Sequence, residues 1–466
     1  MRKLLANKKV VAVLDTFFGD SGKGKIVDYL ASINDGGRPF FHMVYRPNGG
    51  PNTGHTINIE GKKYVFHLIP SAALIPDISC FIGRAAAFEP GCFFEELNQV
   101  FANNPGARIY VDRDAHIIMP WHIAIDNLRE AASTGKIGTT GKGVGPCMET
   151  KNSRGGFITI GMILPENKEL FSKIIDEGIK KTEPELDFLI KNFNGNVNEF
   201  FRGVNMPLGT TLAAFFKNNK IDREKIFEIY TEYGKKLEPM AADVLSLIRI
   251  RLKAGERILV EGTQGTFLDL NHGTYPFVTA GLTTRAGLEH DSGLYFDLCI
   301  NVVKAYATRV GNGPFPTELA DDLGNNLREA GGEFGSTTGR PRRVGWLDIV
   351  ALRHAIELNT RNDEKPLIAL TKLDVLGGFS PMICDEYKIS LNPHPRFSKE
   401  FNSADVKNAK PGHCYKFEKI ESIKGANSFM EIPGSALNYI KKIEELTGGE
   451  IILVGSGPER AEIITR

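Results

Sequence analysis

Four short apolar runs, each followed directly by a loop of glycines and polar residues, constrain most strongly how this chain can fold. In each run the apolar residues are continuous rather than alternating, which is typical of strands buried on both faces. Such strands form parallel sheets covered by helices, and ligands of these sheets bind at the carboxyl ends of the strands. The sequence therefore predicts an α/β fold with a binding site at that edge. The four segments are "KKVVAVLDTFFGDSGKGK", "RILVEGTQG", "KPLIALTKLD" and "GEIILVGSGPER".

The length of the chain, 466 residues, exceeds what one ordinary core needs, but no low-complexity tract or long linker divides it. We therefore predict a single domain over residues 1–466. A helical insertion rich in Lys and Glu is predicted at about 166–253, and a variable polar segment at about 387–426. In "SALNYIKKIEELTGG" the apolar spacing predicts a helix that begins with Ser435 as N-cap and stops at Gly448.

The composition excludes several classes of protein. A charged fraction of 24% and a formal net charge of +1 leave no bulk charge for nucleic acid or an anionic membrane, so a phosphate ligand must be held locally. No apolar run reaches the length that spans a membrane. The six cysteines lack C-x-x-C spacing and are interpreted as reduced thiols of a cytoplasmic protein.

The stretch "GDSGKGKIVD" resembles a phosphate-binding loop but lacks one part of it. Gly19, Gly24 and Lys25 are in register with G-x-x-x-x-G-K, whereas Ile26 stands where a Ser or Thr would hold Mg²⁺. A helix beginning near Ile26 would aim backbone amides and its dipole at phosphates. Asp20 can supply the hard oxygen ligand that is missing, and can also serve as a base. On spacing alone, a structural turn between strand and helix fits equally well.

Three further loops carry polar groups of the kind that face ligands. His55 lies in a Gly, Asn and Thr setting, whereas His67, in "VFHLIP", is interpreted as a structural residue. The loop "GTTGKGVGP" offers backbone donors and hydroxyls, and "GSTTGRPRRVGW" adds three arginines whose guanidinium groups suit carboxylates and phosphates. A flexible connector and a solvated charge run are the alternatives for these two loops.

The motif "TKLD", from Thr371 to Asp374, ends a predicted strand. A carboxylate there can accept two hydrogen bonds from guanine, which adenine cannot donate. By itself the motif also fits an ordinary turn at the end of a strand. Together with a phosphate loop on the same sheet, it favours a GTP site.

In this order the motifs resemble those of the adenylosuccinate synthetase family, from about Val10 to Gly377 and from Pro433 to Arg460. The resemblance implies a large, mainly parallel central sheet with helices on both faces, a P-loop-like phosphate loop and inserted helical subdomains. The matching stretches are "GDSGKGKIVD", "NTGHT", "HLIPS", "IGTTGKGVGP", "LVEGTQGTFLDLNHGTYPFVT", "ATRVGNGPFPTEL", "GEFGSTTGRPRRVGWLD", "TKLDVL", "ALNYIKKIEELTG" and "GSGPER".

The resemblance implies a GTP-dependent ligation of L-aspartate to IMP, giving adenylosuccinate, GDP and phosphate through a 6-phosphoryl-IMP intermediate. Asp20 would remove the N1 proton of IMP while O6 attacks the γ-phosphate of GTP. His55 would act as an acid, and Lys23 and Gln264 complete the implied catalytic set. The implied cofactor is Mg²⁺, bound by Asp20 and the backbone carbonyl of Gly54.

The resemblance also implies three binding sets and a homodimer in which Arg154 completes the neighbouring subunit's site. The implied GTP-binding residues are Gly19, Asp20, Ser21, Gly22, Lys23, Gly24, Lys25, Gly54, His55, Thr56, Arg342, Lys372, Leu373, Asp374, Gly455, Ser456 and Gly457. The implied IMP-binding residues are Asp20, Lys23, Asn52, Thr53, Gly54, His55, Thr140, Arg154, Gln264, Thr279 and Arg340. The implied aspartate-binding residues are Thr337, Thr338, Gly339, Arg340 and Arg342.

Two positions depart from the family pattern. Ser21 replaces the Glu that usually follows the catalytic Asp, and Lys142 replaces an Arg in the "GTTGKG" loop. Ser21 makes room beside the purine, so the same chemistry on dGMP is an alternative reading. A second alternative is a GTP-binding regulator without turnover, but the presence of Asp20 and His55 argues against it.

Overall fold

The structure, a computed structural model, describes residues 1–335, 339–390 and 394–466. The chain forms two compact units. The first unit comprises residues 1–41, 54–65 and 257–466, and the second comprises 42–53 and 66–256. The single domain inferred from the sequence stays a prediction.

The helices of the described residues range from single turns to one helix of 25 residues. They are α1 (Arg2–Leu5), α2 (Lys23–Ala31), α3 (Pro90–Asn103), α4 (Pro120–Ala132), α5 (Val144–Ser153), α6 (Ile160–Ile163), α7 (Lys168–Asn192), α8 (Val197–Arg202), α9 (Arg223–Leu237), α10 (Val244–Lys253), α11 (Arg285–Ser292), α12 (Asp322–Gly331), α13 (Ile349–Asn359) and α14 (Gly434–Thr447).

The strands of the described residues are mostly short, and the longest has ten residues. They are β1 (Val10–Asp15), β2 (Asn34–Asp35), β3 (Arg38–Pro39), β4 (Met43–Gly49), β5 (His55–Ile59), β6 (Lys62–Phe66), β7 (Ser79–Phe88), β8 (Arg108–Asp112), β9 (His116–Ile117), β10 (Asn205–Met206), β11 (Thr210–Thr211), β12 (Phe216–Lys217), β13 (Lys220–Ile221), β14 (Ala241–Ala242), β15 (Ile258–Glu261), β16 (Leu298–Lys304), β17 (Ala307–Arg309), β18 (Arg343–Gly345), β19 (Leu347–Asp348), β20 (Leu367–Thr371), β21 (Met382–Ile389), β22 (Arg396–Ser398), β23 (Ala409–Lys416), β24 (Glu450–Gly455) and β25 (Ile463–Thr465).

The first unit is built on a sheet in the order β15, β1, β16, β20, β24 and β25. Every neighbouring pair is parallel except β24 and β25, which are antiparallel. All residues of β1, β15, β16 and β20 are buried, as the continuous apolar runs require. The predicted α/β fold with a mainly parallel sheet is therefore confirmed.

Parallel pairing brings the loops after these strands to one edge of the sheet. The register joins Lys304 to Thr371, the last residues of β16 and β20. It joins Glu261, the last residue of β15, to Val13, so β1 extends two residues further, to Asp15. The loops after β1, β15, β20 and β24 contain the motifs that the sequence singled out. The fold thus assembles at this edge segments that are far apart along the chain.

A second sheet of the first unit contains β19, β21, β22 and β23. In it β21 runs parallel to β19 and antiparallel to β22 and β23. Strands β22 and β23 lie within the polar segment at 387–426. Apolar side chains of β21 pack with Val350 and Ala409 in a small core of their own.

The second unit contains β14, β8, β7 and β4, paired in parallel in that order, and β9, which pairs with the end of β7. Arg129 on α4 forms ion pairs with Glu149 on α5 and Glu185 on α7, both at 2.7 Å, and so links three helices. Helices α7 to α10 occupy much of 166–253, which also contributes β14 to the sheet.

Two predicted helix ends need correction, whereas one is confirmed. Helix α14 ends at Gly448, whose φ of 66° suits glycine, as predicted. The prediction that Ser435 is its N-cap is wrong, because Pro433 precedes the helix and the Ser435 hydroxyl instead accepts from the backbone amide of Glu421. Helix α2 begins at Lys23 rather than near Ile26, because Gly22, with φ of 91°, turns the chain into the helix earlier.

Among the described residues, no helix has both the length and the apolar character that crossing a bilayer requires.

A buried ion pair fastens α2 to the C-terminal loop of the first unit. Arg460 donates from Nε and Nη2 to the two oxygens of Asp28, both at 2.7 Å. The Asp28 side chain is only 1% exposed. The backbone amide of Arg460 donates to the carbonyl of Asn58, so the same residue also holds β5.

We expect Arg460→Ala to lower the free energy of unfolding by roughly 3 kcal/mol, because it leaves a buried carboxylate without its cation. Urea denaturation followed by circular dichroism measures this loss. The matched control is Lys365→Ala, which breaks an exposed pair with Glu450 and should cost about 0.5 kcal/mol. Equal losses in the two variants would contradict a structural role for the Asp28 pair.

Candidate active site

The loop between β1 and α2 has the geometry of an anion-binding turn. It reverses direction through left-handed backbone conformations at Gly19, Asp20 and Gly22, with φ of 81°, 58° and 91°. Helix α2 then begins with Lys23, so the first amides of the helix face the loop. Unpaired amides and the positive end of a helix dipole attract phosphate groups.

Asp15, at the end of β1, holds this loop together. Its buried carboxylate accepts hydrogen bonds from the amides of Phe17 and Ser21 and from the Ser21 hydroxyl, each at 2.9 Å. It also accepts from Nζ of Lys23 at 3.1 Å. Four donors thus converge on one carboxylate. Sequence reasoning missed Asp15, and its only signal was an acidic residue at the end of an apolar strand.

The loop after β15 packs against the phosphate loop. Nζ of Lys23 donates to the carbonyl of Gln264 at 2.5 Å, so the buried lysine is held from both sides. A Cβ added at Gly265 would lie 2.4 Å from the carbonyl oxygen of Phe17 and 2.5 Å from the amide of Gly19. Only glycine allows this approach, which explains why "GTQG" follows the strand.

Ser21, one of the two departures from the family pattern, is part of the loop itself. Its side chain is buried and its hydroxyl donates to Asp15. Its carbonyl accepts from the hydroxyl of Thr371 at 2.6 Å, which ties the loop to the end of β20. The loop therefore keeps a carboxylate next to position 21, supplied by Asp15 instead of by residue 21.

Asp20 lies at the outside of the same turn. Its side chain is 27% exposed and its Oδ2 is 2.9 Å from Nη2 of Arg342. Arg342 also donates from Nη1 to Glu333 at 2.8 Å. The guanidinium group therefore bridges a buried carboxylate and the carboxylate that the sequence singled out.

Glu333 belongs to a buried cluster of charges. It accepts two hydrogen bonds of 2.9 Å from Nζ of Lys304 and one of 2.6 Å from the hydroxyl of Tyr306. Burial alone would raise the pKa of Glu333, but Lys304, Lys372 and Arg342 outweigh it and lower the pKa to about 2. Glu333 is therefore an anion at neutral pH and fixes the position of Arg342. Sequence reasoning did not identify it.

His55 begins β5, and its ring contacts the carboxylate of Glu261, the last residue of β15. Nδ1 of His55 contacts Oε1 of Glu261, and both side chains are buried. A carboxylate at Nδ1 fixes the orientation of the ring and holds a proton on that nitrogen. Glu261 is a second residue that sequence reasoning missed, since one acid at the end of an apolar strand gave no separate signal.

The segments proposed to frame guanine lie together in the first unit. Nζ of Lys25 donates to the carbonyls of Gly457 and Glu462, the latter at 2.8 Å. Burial lowers the pKa of Lys25 to about 8, against the attraction of Asp374. Burial also raises the pKa of Asp374, and the nearby Lys372 and Lys25 oppose this rise. The carboxylate of "TKLD" thus lies close to two cations.

Other predicted residues of the first unit lie on several loops. Thr279 donates its amide to the carbonyl of Leu268 at 2.8 Å, and Arg340 accepts at its carbonyl from Gly335 at 2.8 Å. Gly54 and Thr56 flank His55 at the start of β5, and Gly339 has a φ of 64°. Of the three arginines, Arg343 pairs with Glu318 in a structural contact. Thr337 and Thr338 lie outside the described residues.

The remaining predicted residues belong to the second unit. Thr53 is buried and donates to the carbonyl of Gly50 at 2.8 Å, and Asn52 precedes it in the same turn. Thr140 is exposed on the loop before α5, and Arg154 is exposed at the end of α5 in a left-handed conformation. His67 has the structural role that the sequence predicted, since Glu96 holds both its ring and its amide.

Comparisons with known proteins identify the family of the chain. The family model described as adenylosuccinate synthetase matches residues 12–464. An adenylosuccinate synthetase of Azotobacter vinelandii is 38% identical over 98% of each chain, and one of Saccharophagus degradans is 39% identical over 98% of each chain. A solved structure of the fully ligated adenylosuccinate synthetase of Plasmodium falciparum superposes with a TM-score of 0.82, at 33% identity over 98% of this chain and all of that one.

A more distant likeness concerns the fold alone. The succinoaminodeoxyadenylate synthetase of cyanophage S-2L, solved with dGMP and dATP, gives a TM-score of 0.56 at 17% identity over 98% of this chain and 95% of that one. The family model and the curated relatives instead cover nearly the whole chain at well over 30% identity. The chain therefore belongs to the adenylosuccinate synthetase family, which ligates aspartate to IMP with GTP.

Proposed function

We propose that the phosphate loop and the loops around it in the first unit carry out the family reaction, with Asp20 as the base. The observation that supports this assignment is the contact of Asp20 with Arg342 at the tip of a loop built to bind phosphate. The carboxylate is partly exposed, so a ligand can reach it, whereas Asp15 and Glu333 are buried and hold other side chains.

In the proposed first step, Asp20 accepts the N1 proton of IMP, and O6 attacks the γ-phosphate of GTP. The O6–phosphorus bond forms as the bond to GDP breaks, which gives 6-phosphoryl-IMP. In the second step, the amine of L-aspartate attacks C6 and inorganic phosphate leaves. The transferred group carries most of the charge, so positioning and charge neutralisation dominate the catalysis.

The other residues of the first unit have supporting roles in this proposal. Lys23, fixed between Asp15 and Gln264, presents its amino group to the phosphates. His55, oriented by Glu261, donates to the oxygens between which the phosphoryl group moves. Gln264 and Thr279 contact IMP, and Gly339, Arg340 and Arg342 receive the carboxylates of aspartate. Lys372, Asp374 and the Gly455–Gly457 turn hold guanine.

The family requires a metal ion, and we propose Mg²⁺ at Asp20 and the carbonyl of Gly54. The donor set fits this ion, because Mg²⁺ prefers hard oxygen ligands and completes its shell with water and phosphate oxygens. When bound, the ion would neutralise charge on the phosphates of GTP. The role of this chain's residues is to keep the Asp20 carboxylate at the turn, which the backbone of Gly19 and Gly22 permits.

The assignment of substrate is tested by incubating the full chain with GTP and Mg²⁺, offering IMP or dGMP, with and without L-aspartate. We expect the purine product and GDP only when IMP and aspartate are both present. Product formation with dGMP and not with IMP would overturn the substrate assignment, and GTP binding without any turnover would favour a regulator. Mass spectrometry of the purine product distinguishes these results.

Asp20→Asn should reduce kcat at least about 100-fold, because general base catalysis contributes that much and the amide cannot accept the proton. The variant keeps the shape of the side chain, so the loop should still bind GTP. Binding is measured by calorimetry in parallel with turnover. A variant that retains most of its kcat would show that another group takes the proton.

Asp15→Asn should weaken GTP binding by roughly 2 kcal/mol, about 30-fold, because Lys23 loses a charged partner and the loop loses a shared acceptor. Calorimetric titration with GTP gives this affinity. The matched control is Ser21→Ala, which removes one neutral hydrogen bond to the same carboxylate and should cost at most about 1 kcal/mol. Equal effects of the two variants would contradict the view that Asp15 acts by holding Lys23.

We further propose a cytoplasmic homodimer in which Arg154 of the partner subunit completes the IMP site. Its exposed position at the end of α5 supports this role, since the side chain is available to another chain. The remaining residues of the second unit assigned to IMP are Asn52, Thr53 and Thr140. The cytoplasmic assignment rests on the family's metabolic role and on six free thiols.

Mixing two inactive variants tests the shared site. Arg154→Leu and Asp20→Asn homodimers should each be nearly inactive, but after subunit exchange the hybrid contains one site with both residues intact. Activity should therefore return on mixing, as measured by GDP release. Full activity of Arg154→Leu alone, or a mixture of exchanged dimers that stays inactive, would contradict the proposal.

A further inference from the structure

Two of the six cysteines lie opposite one another on neighbouring antiparallel strands. Cys384 on β21 is the register partner of Cys414 on β23. Directly opposed residues of an antiparallel pair have Cα atoms about 4.5–5.5 Å apart. A disulfide needs a Cα separation of about 4.4–6.8 Å. The backbone therefore already has the spacing that a disulfide between these residues requires.

The two thiols interact and differ in character. Contact between the two thiols raises the pKa of Cys384 and lowers that of Cys414. The Cys384 thiol also donates to the carbonyl of Glu386 at 3.3 Å. Because the thiolate is the reactive form, this asymmetry makes Cys414 the better nucleophile of the pair.

Access to solvent follows the same order. Cys384 is fully buried, with 0% exposure, whereas Cys414 is partly exposed at the outer strand of the sheet. The strand register shifts just after Cys384, and the extra residue Asp385 accepts from Nδ1 of His413 at 2.5 Å. Nζ of Lys399 lies 4.0 Å from the same carboxylate. A small reagent can thus reach Cys414 first, and Cys384 stands directly behind it.

The other four cysteines lack this arrangement. All of them are buried. Burial raises the pKa values of Cys147 and Cys299 to about 12, and that of Cys92 is also raised by burial. Among the cysteines, therefore, only Cys414 combines access with an adjacent thiol.

We propose that Cys384 and Cys414 form a modification site for small-molecule disulfides such as oxidised glutathione. The Cys414 thiolate attacks the glutathione disulfide, forming a mixed disulfide and releasing one glutathione. The Cys384 thiol then loses its proton and attacks Sγ of Cys414, which releases the second glutathione and leaves an intramolecular disulfide. Two protein thiols are oxidised as one glutathione disulfide is reduced to two thiols, so the step balances.

The experiment uses the reduced full-length chain, incubated at one pH and without oxygen in buffers of increasing oxidised glutathione. Samples are quenched with acid and denatured, and the remaining free thiols are alkylated with N-ethylmaleimide. The intact protein mass is then measured by mass spectrometry, followed by peptide mapping. We expect two thiols to become protected together, with a cross-linked peptide pair that contains Cys384 and Cys414. Reductant should restore six reactive thiols.

Single variants separate the two roles. Cys384→Ser should accumulate a stable adduct of one glutathione on Cys414, and Cys414→Ser should take up none at Cys384. The control Cys299→Ser should behave as the unmodified chain. Six reactive thiols throughout the buffer series, or a cross-link between other cysteines, would overturn the proposal. Peptide mapping of the unmodified chain decides the matter even if a variant does not fold.

Discussion

The geometry of the proposed active site depends on the contacts of the buried Asp15 carboxylate. Burying a carboxylate is costly unless charges and donors compensate it. Here two backbone amides, one hydroxyl and the Lys23 ammonium do so. The same contacts fix the backbone of the loop and the direction of the lysine. The donors that compensate the buried charge therefore also hold the loop in one conformation. This conformation places Asp20 at a defined position.

The parallel sheet explains how so few contacts can organise so many loops. Since β15, β1, β16, β20 and β24 all run in one direction, their following loops meet at one edge. Contacts between loops then fix their relative positions: the Thr371 hydroxyl holds the carbonyl of Ser21, and Lys25 holds the turn at Gly457. The site is thus a property of the topology as much as of any single motif.

Sequence reasoning predicted the sheet because four continuous apolar runs leave few other ways to bury them. It could not predict Asp15 and Glu261, each a single acid at the end of an apolar strand, or Glu333, a single acid in a glycine-rich stretch, because one acid has no characteristic spacing. Their roles arise from partners 8, 206 and 29 residues away along the chain, Lys23, His55 and Lys304. The prediction of Ser435 as an N-cap was wrong for the same reason, because the Ser435 hydroxyl instead accepts from Glu421, which lies on another segment.

The buried charge of Asp15 also accounts for the serine at position 21. A glutamate at position 21 would bring a second carboxylate next to that of Asp15. Of the four groups that donate to Asp15, Lys23 is the cation. Two carboxylates at one buried cation repel each other unless one takes up a proton. A neutral hydroxyl that donates to Asp15 avoids this conflict. Asp15 and Ser21 are therefore best understood as one unit, in which the acid supplies the charge and the serine completes its hydrogen bonds.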